Sequence, residues 1–105
     1  MDDKEFDQRA NETLEWIDGA LESCGIDLDL NQLAGGVLEV EFPDGSQLII
    51  NRHAAAREIW VAARSGGFHF RFDGTDWVDT RSGERLVAAL SRLVSLQAQQ
   101  PVALE

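Results

Sequence analysis

The sequence predicts an α+β two-layer sandwich, in which two terminal helices pack on one face of a largely antiparallel sheet of five to six strands. Apolar residues recur every three or four positions near both ends of the chain, as on one side of a helix, and every second position in between, as on one side of a strand. The connections between the alternating segments are short, which implies an antiparallel meander. With 105 residues, the chain is expected to form a single domain over residues 1–105.

The first helix is predicted from about residue 3 to residue 23. Its apolar positions fall on one side of the helical wheel: Phe6, Ala10, Thr13, Leu14, Ile17, Ala20, Leu21 and Cys24. Gly25 follows as a C-terminal stop signal. Cys24 is expected to be a small buried hydrophobic residue. Because it is the only cysteine, the chain has no internal disulfide and no site built from several thiolates.

The strands are predicted between about residues 36 and 80. The alternating segments are Val37–Phe42, Gln47–Asn51, Glu58–Ala63, Phe68–Phe72 and Asp76–Thr80. Turn residues such as Pro43-Asp44-Gly45 separate them. In the third segment, the alternation places Ile59 and Val61 towards the core and Trp60 on the opposite face.

The second helix is predicted from about residue 84 to residue 98, with Ser82 as its N-cap. Its core stripe consists of Leu86, Val87, Leu90, Leu93 and Val94. Both helices are expected to cover the same side of the sheet and to leave the other side open. Residues 99–105, which contain Pro101, are expected to form a frayed tail.

The charge of the chain argues against several classes of protein. There are 19 acidic and 9 basic residues, which gives a formal net charge of −10. A nucleic-acid-binding protein needs a basic face, and so does a protein that docks on an anionic membrane. No apolar run approaches the roughly 20 residues of a membrane span, and the first residues lack the basic segment of a signal peptide. We therefore expect a cytoplasmic protein that binds neither nucleic acid nor membranes.

The excess negative charge is concentrated in residues 1–29, which hold ten acids and two basic residues. Five of these acids make up what we call the acidic patch: Glu15, Asp18, Glu22, Asp27 and Asp29. The first three are neighbours on the polar side of the helix, where each like-charge pair costs about 0.2–0.5 kcal/mol. The patch is either a solvated face that maintains solubility, or a negative surface for hard cations, for a basic partner protein or for both; cation binding there would be weak and poorly selective. Its spacing does not match a calcium-binding EF-hand loop.

Trp60 is the second candidate for a binding role. It shares a strand face with Glu58, opposite the core. Either it packs against neighbouring side chains or it is an exposed aromatic anchor for a protein partner. Asn51, Arg52 and His53, at the end of the preceding strand, are placed to add polar contacts.

No catalytic machinery is evident in the sequence. His53 and His69 have no cysteine or serine nucleophile in an identifiable motif and are expected at the surface. The glycine pairs do not match a phosphate-binding loop. The acids are expected to be solvated, whereas general acid–base catalysis needs one acid shifted by burial. We therefore predict no catalytic residues and no organic cofactor.

A series of short motifs follows the acidic first helix: Gly36-Val37-Leu38, Phe42-x-Asp44-Gly45-Ser46, Ile50-Asn51-Arg52, Ile59-Trp60, Ser65-Gly66-Gly67-Phe68-His69-Phe70, Asp76-Trp77 and Arg81-Ser82-Gly83-Glu84. Each motif is weak alone. In this order, over nearly the whole chain, they resemble the bacterial frataxin family (CyaY). The resemblance implies a frataxin-like sandwich of two terminal helices on a largely antiparallel sheet, in agreement with the hydrophobic pattern.

The resemblance also implies a function. It predicts an iron-binding regulator or iron donor of iron–sulfur cluster assembly, an iron chaperone that docks on the cysteine desulfurase and tunes sulfur delivery to the scaffold protein. Such a protein is a monomer without metal and is not an enzyme. Two alternatives remain open at this point: an iron-oxidising, ferroxidase-like enzyme, and an acidic protein-interaction module with incidental metal binding.

The resemblance assigns roles to particular residues. The family's acidic ridge falls on Asp18, Glu22, Asp27 and Asp29, and Glu15 joins them on geometric grounds. Weakly bound ferrous or ferric iron is therefore expected on the acidic patch. The family's exposed sheet tryptophan falls on Trp60, and its Asn-Arg motif falls on Asn51 and Arg52, which implies that these three residues contact a partner.

Overall fold

The computed structural model describes residues 1–104 and confirms the predicted sandwich. The elements follow the order α1 (Asp3–Glu22), β1 (Asp29–Leu33), β2 (Val37–Glu41), β3 (Gln47–His53), β4 (Glu58–Ala63), β5 (Gly66–Phe72), β6 (Trp77–Asp79) and α2 (Leu86–Ala98). The six strands form one sheet in chain order, and every neighbouring pair is antiparallel. Neither helix is long and apolar enough to cross a bilayer within residues 1–104.

The apolar stripe of α1 lies against the sheet as its spacing predicts. The helix begins after Asp2, whose side chain accepts a hydrogen bond from the backbone N–H of Glu5 at 2.8 Å and so caps the first turn. Phe6 and Ile17 are fully buried, one on each half of the helix. The polar side of α1, which carries most of the acids, is therefore turned away from the core.

The core lies between the two helices and one face of the sheet. Alternation within the strands buries Val40, Ile50, Ile59 and Phe70 on this face. The intervening residues, Trp60 among them, face the other side, which no helix covers. The predicted open sheet face is therefore present.

The first strand of the sheet was missed by the sequence patterns, which begin the strands near residue 36. β1 is an edge strand that pairs with β2 alone, and only Leu30 of its five residues is even partly buried. It contains no β-branched residue. Because so little of β1 reaches the core, its sequence shows no clear alternation of apolar and polar residues.

The start of α2 differs from the prediction. Ser82 is not the N-cap; its hydroxyl accepts a hydrogen bond from the backbone N–H of Glu84 at 3.2 Å, and the N-cap is Arg85. Arg85 forms a β-bridge with Val78, which keeps the chain extended until Leu86. Val87, predicted in the core stripe, is 37% exposed and lines an open cleft between α1 and α2.

The prediction of a frayed C-terminal tail is wrong for the described residues, because the tail is docked on α2. The backbone N–H of Val102 donates to the Ser95 hydroxyl, and that of Leu104 donates to the Ser91 hydroxyl, both at 2.9 Å. The Leu104 side chain is 5% exposed and belongs to the core. Ser91 and Ser95 of α2 therefore accept the hydrogen bonds that hold the tail against the helix.

Candidate functional site

The acidic patch is spread over three elements. Glu15, Asp18 and Glu22 lie one turn apart along α1, with Glu15 and Glu22 exposed and Asp18 partly buried. Asp27 is exposed in the loop after α1, and Asp29 is exposed on β1. The three helical acids therefore form one continuous face, which continues into the loop.

The basic residues of the chain do not neutralise the acidic patch. Within residues 1–104, arginines form seven ion pairs with carboxylates, and His69 lies 3.8 Å from Glu58 in a contact that is ionic only when the histidine is protonated; none of these contacts includes a patch residue. The acids of α1 that do have partners lie in its first half, where Asp3 pairs with Arg57 at 2.7 Å and Asp7 contacts Arg52 at 3.9 Å. The negative field is consequently left on the second half of the helix.

Asp29 faces a different direction from the helical acids. Its neighbour Leu30 lies opposite the buried Val40, so Asp29 itself lies on the open sheet face. There it is directly opposite Glu41 of β2, and like charges in this position repel each other. Glu41 was not recognised from the sequence, because recognising it requires the strand β1 that the patterns missed.

The patch has the donor chemistry for hard cations but not the geometry of a closed site. Carboxylate oxygens are the ligands that such cations take. Within residues 1–104, however, no three side chains of His, Cys, Asp or Glu converge on a common point. The residues therefore fit a cation that is held at the surface by one or two carboxylates and keeps part of its hydration shell.

Trp60 lies on the open sheet face between two histidines. Its ring centroid is 3.7 Å from that of His53 and 4.3 Å from that of His69, and the rings are nearly parallel. Cross-strand pairing places His69 directly beside Trp60 on β5. Because both faces of the indole are covered, a partner would meet the edge of the ring. Strand alternation gave the correct face for these residues, but the stack was missed because the register of the strands was not known.

Glu58 is the buried acid of this cluster, with a side chain only 7% exposed. Its carboxylate accepts hydrogen bonds from Trp60 Nε1 at 2.8 Å and from Arg71 Nη2 at 2.7 Å. Burial by itself would raise the pKa of Glu58, but these two hydrogen bonds and the charges of Arg71 and His69 outweigh it and lower the pKa below its ordinary value. The expectation that all the acids are solvated is therefore wrong for Glu58, yet this acid stays ionised and is unsuited to donate a proton near neutral pH.

The structure separates Arg52 from the other two residues expected to contact a partner. Asn51 is directly opposite Trp60 on the open face. Arg52 points the other way, towards α1, where its Nη1 donates to Asn11 Oδ1 at 2.7 Å. The Arg52 side chain crosses Gly36, where a Cβ atom would lie 3.0 Å from it and where φ is +77°. Glycine at this position therefore allows Arg52 to join the sheet to the helix.

The chain matches a known domain family and named bacterial proteins. The family model described as a frataxin-like domain matches residues 1–100. The iron–sulfur cluster assembly protein CyaY of Dechloromonas aromatica is 55% identical over 104 residues, which cover 99% of each chain. The protein of the same name from Cupriavidus pinatubonensis is 48% identical over 94% of this chain and 92% of its own.

Solved structures show the same fold. Frataxin from Psychromonas ingrahamii superposes with a TM-score of 0.89 at 32% identity, over 98% of this chain and 97% of that one. Trimeric frataxin from the yeast Saccharomyces cerevisiae, complexed with ferrous iron, gives a TM-score of 0.67 at 23% identity, over 95% and 88% of the two chains. At that identity the yeast structure is evidence for the fold alone. The matches agree with the resemblance drawn from the sequence motifs.

Proposed function

Because the chain belongs to the frataxin-like family, we propose that it is an iron-binding regulator and iron donor of cytoplasmic iron–sulfur cluster assembly. Its relatives at 55% and 48% identity are named for that assembly. The observation that carries the proposal is the acidic patch, whose five carboxylates have no cationic partner among residues 1–104. Uncompensated charge on one helix face costs stability, so a ligand of opposite charge is the natural reason for it.

Iron is the cargo in this proposal and binds weakly. Glu15, Asp18 and Glu22 each offer exposed or partly exposed carboxylate oxygens along one face of α1. Since no three ligands converge in the described part of the chain, water completes the coordination of each ion. Weak binding suits a protein that must release its iron. In this proposal, the protein is a monomer without metal.

The partner of the acidic patch is a basic surface of the cysteine desulfurase. Complementary charge accelerates encounter and fixes the orientation of the complex. Iron and the desulfurase then compete for the same carboxylates, which makes docking dependent on iron. The edge of Trp60, with Asn51 opposite it, is a second contact on the open sheet face, where the scaffold protein is the candidate partner.

An enzymatic role has little support from the side chains. Glu58, the buried acid of the open face, has a lowered pKa, whereas a general acid at neutral pH needs a raised one. Cys24, which is partly buried, packs against the core at the end of α1. We therefore propose a binding function without catalysis, in which regulation acts through occupancy of the acidic patch.

The test is a triple charge reversal of the patch: Asp18→Lys, Glu22→Lys and Asp27→Lys. None of the three side chains forms an ion pair, and the only side-chain hydrogen bond lost among residues 1–104 is the one from Gln32 to Asp18, so the variant is expected to fold. We expect its affinity for the cysteine desulfurase to fall by at least about tenfold and its ferrous iron binding to be lost. Calorimetry measures the first, and an anaerobic NMR titration measures the second.

The matched control reverses three acids on the first half of the same helix: Asp3→Lys, Asp7→Lys and Glu12→Lys. This variant has the same change of net charge and the same composition, but it leaves the acidic patch intact. It is expected to retain iron binding and most of the desulfurase affinity. An equal loss in both variants would attribute binding to net charge alone, and unchanged affinity in the patch variant would refute the docking surface. Desulfurase binding that never responds to iron would favour an interaction module.

A further inference from the structure

Gln32 makes a direct contact between the edge strand and the acidic patch. β1 pairs Gln32 with the buried Leu38, so its side chain lies on the face of the sheet that α1 covers. There Gln32 Nε2 donates a hydrogen bond to Asp18 Oδ2 at 2.6 Å. A carboxylate is only an acceptor, so the amide nitrogen must be the atom that faces Asp18.

Little else holds β1 against α1. Leu30 is the one residue of β1 that is partly buried. Between α1 and the β1–β2 hairpin lies an open cleft of about 270 Å³, lined on its polar side by Asn11, Glu15 and Gln32. Because side-chain packing does not fill this gap, the hydrogen bond from Gln32, which lines the cleft, to Asp18, about one helical turn beyond the lining residue Glu15, is the specific side-chain contact that joins β1 to α1.

We propose that Gln32 is the positioning residue of the acidic patch: it fixes the Asp18 carboxylate across the cleft between α1 and β1, and it competes with cations for one of the two carboxylate oxygens. The positioning itself stands on the geometry of the contact. The competition with iron rests on the proposed function, in which Asp18 is an iron ligand.

The physical role of the amide is that of a neutral replacement for a bridging metal. If residue 32 were a glutamate, its carboxylate would repel that of Asp18, and a cation between the two would be needed to join the strand to the helix. Gln32 joins them with a donor N–H and needs no ion. The contact between α1 and β1 therefore needs no metal ion. Iron that is to be coordinated by both carboxylate oxygens of Asp18 must first displace the Gln32 amide.

The variant Gln32→Glu tests this role directly. In chelator, we expect the melting temperature to fall by several degrees, because a hydrogen bond is exchanged for repulsion between two carboxylates. Millimolar Mg²⁺ or Ca²⁺ is expected to restore most of the loss, because a cation can now bridge the cleft. Anaerobic ferrous iron is expected to bind about three- to tenfold more tightly than to the unmodified protein.

Two further variants keep the proposal refutable. Gln32→Ala removes the amide without adding charge, so it is expected to loosen Asp18, to bind ferrous iron more tightly, and to show no extra stabilisation by Mg²⁺. Gln8→Glu is the matched control: Gln8 Nε2 donates to Glu12 at 3.4 Å, but both residues lie on α1, so no gap between elements is involved. Gln8→Glu is expected to show little rescue by divalent cations.

The outcomes separate this proposal from the proposed function. Equal melting temperatures and equal metal responses in Gln32→Glu and Gln8→Glu would overturn the positioning role. Unchanged iron affinity in Gln32→Ala would overturn the competition between the amide and iron. If Gln32→Glu depends on Mg²⁺ as expected but the acidic patch binds no desulfurase, the positioning stands and the proposed function fails. A chemical-shift change of the Gln32 side-chain amide on adding Mg²⁺ to the unmodified protein supports the competition directly.

Discussion

At the scale of single residues, Glu58 illustrates what strand alternation can and cannot reveal. The alternation predicts that Glu58 and Trp60 share the open face, and the structure agrees. It does not reveal that β4 and β5 pair Glu58 directly with Arg71, which turns a surface acid into a buried, ionised hydrogen-bond acceptor. The stack on Trp60 depends on the same register. Predicting which residues of two strands touch requires the register of their pairing, and a single sequence does not reveal that register.

The charge of Glu58 makes the stability of the protein depend on pH. The pKa of Glu58 is lower in the folded protein than the ordinary value of 4.5. Its contribution is therefore fully present above the pKa of the unfolded chain and is lost as the pH falls through the folded pKa. We predict that Glu58→Gln lowers the free energy of unfolding by about 1–3 kcal/mol at neutral pH and by clearly less near pH 3. Urea denaturation at both pH values checks this.

The control for this prediction is Glu39→Gln, which changes a partly exposed acid on the same sheet face that makes no ion pair within residues 1–104. Glu39→Gln should change the free energy of unfolding by no more than about 0.5 kcal/mol at either pH. A loss in Glu58→Gln that is the same at both pH values would show that the carboxylate acts through packing and not through its charge.

At the scale of elements, the sequence predicts those that bury a full apolar face. The first helix is predicted over 3–23 and observed over Asp3–Glu22, and the strands β2 to β6 lie inside the predicted region. The two segments that the sequence patterns do not predict, β1 and the docked tail, have no sustained alternation of buried and exposed residues. β1 is an exposed edge strand, and the tail reaches the core through Leu104 after a stretch with no periodicity. A periodic recurrence of apolar residues indicates an element that buries one whole side. It cannot reveal a segment in which a single residue is buried.

The docked tail gives a prediction at this scale. Leu104→Ala should lower the free energy of unfolding by about 2 kcal/mol, because Leu104 is 5% exposed and the tail is fixed by Ser91 and Ser95. Leu96→Ala is the matched control, since Leu96 lies on α2 but is 60% exposed and should cost less than about 0.5 kcal/mol. Equal small losses in urea denaturation would mean that the tail is detached in solution, as the sequence pattern suggested.

At the scale of the whole molecule, the distribution of charge matters more than its total. The net charge of −10 is evident from composition, and so is the concentration of acids in residues 1–29. Which of these acids are neutralised is not evident, because the partners come from distant segments. Arg57 of the β3–β4 turn pairs with Asp3, and Arg52 of β3 contacts Asp7. The sequence thus identifies the members of the acidic patch, while the fold decides that their charge remains unpaired.

A pair of reversals on α1 separates local charge from net charge. Glu22→Lys removes repulsion with Asp18 and puts a cation in a last turn that has none, so we expect stabilisation by about 0.5–1.5 kcal/mol at low salt. Glu5→Lys makes the same change of net charge at the first turn, where it breaks the pair with Arg9 at 3.0 Å and opposes the helix dipole, so we expect destabilisation by about 0.5–1 kcal/mol. Urea denaturation in about 0.02 and 1 M NaCl measures both, and the two effects should shrink together in high salt. If both variants were stabilised, self-repulsion of the whole chain would be the dominant effect. Opposite signs would instead show that the acids of the second half of α1 are held there against the stability of the helix itself.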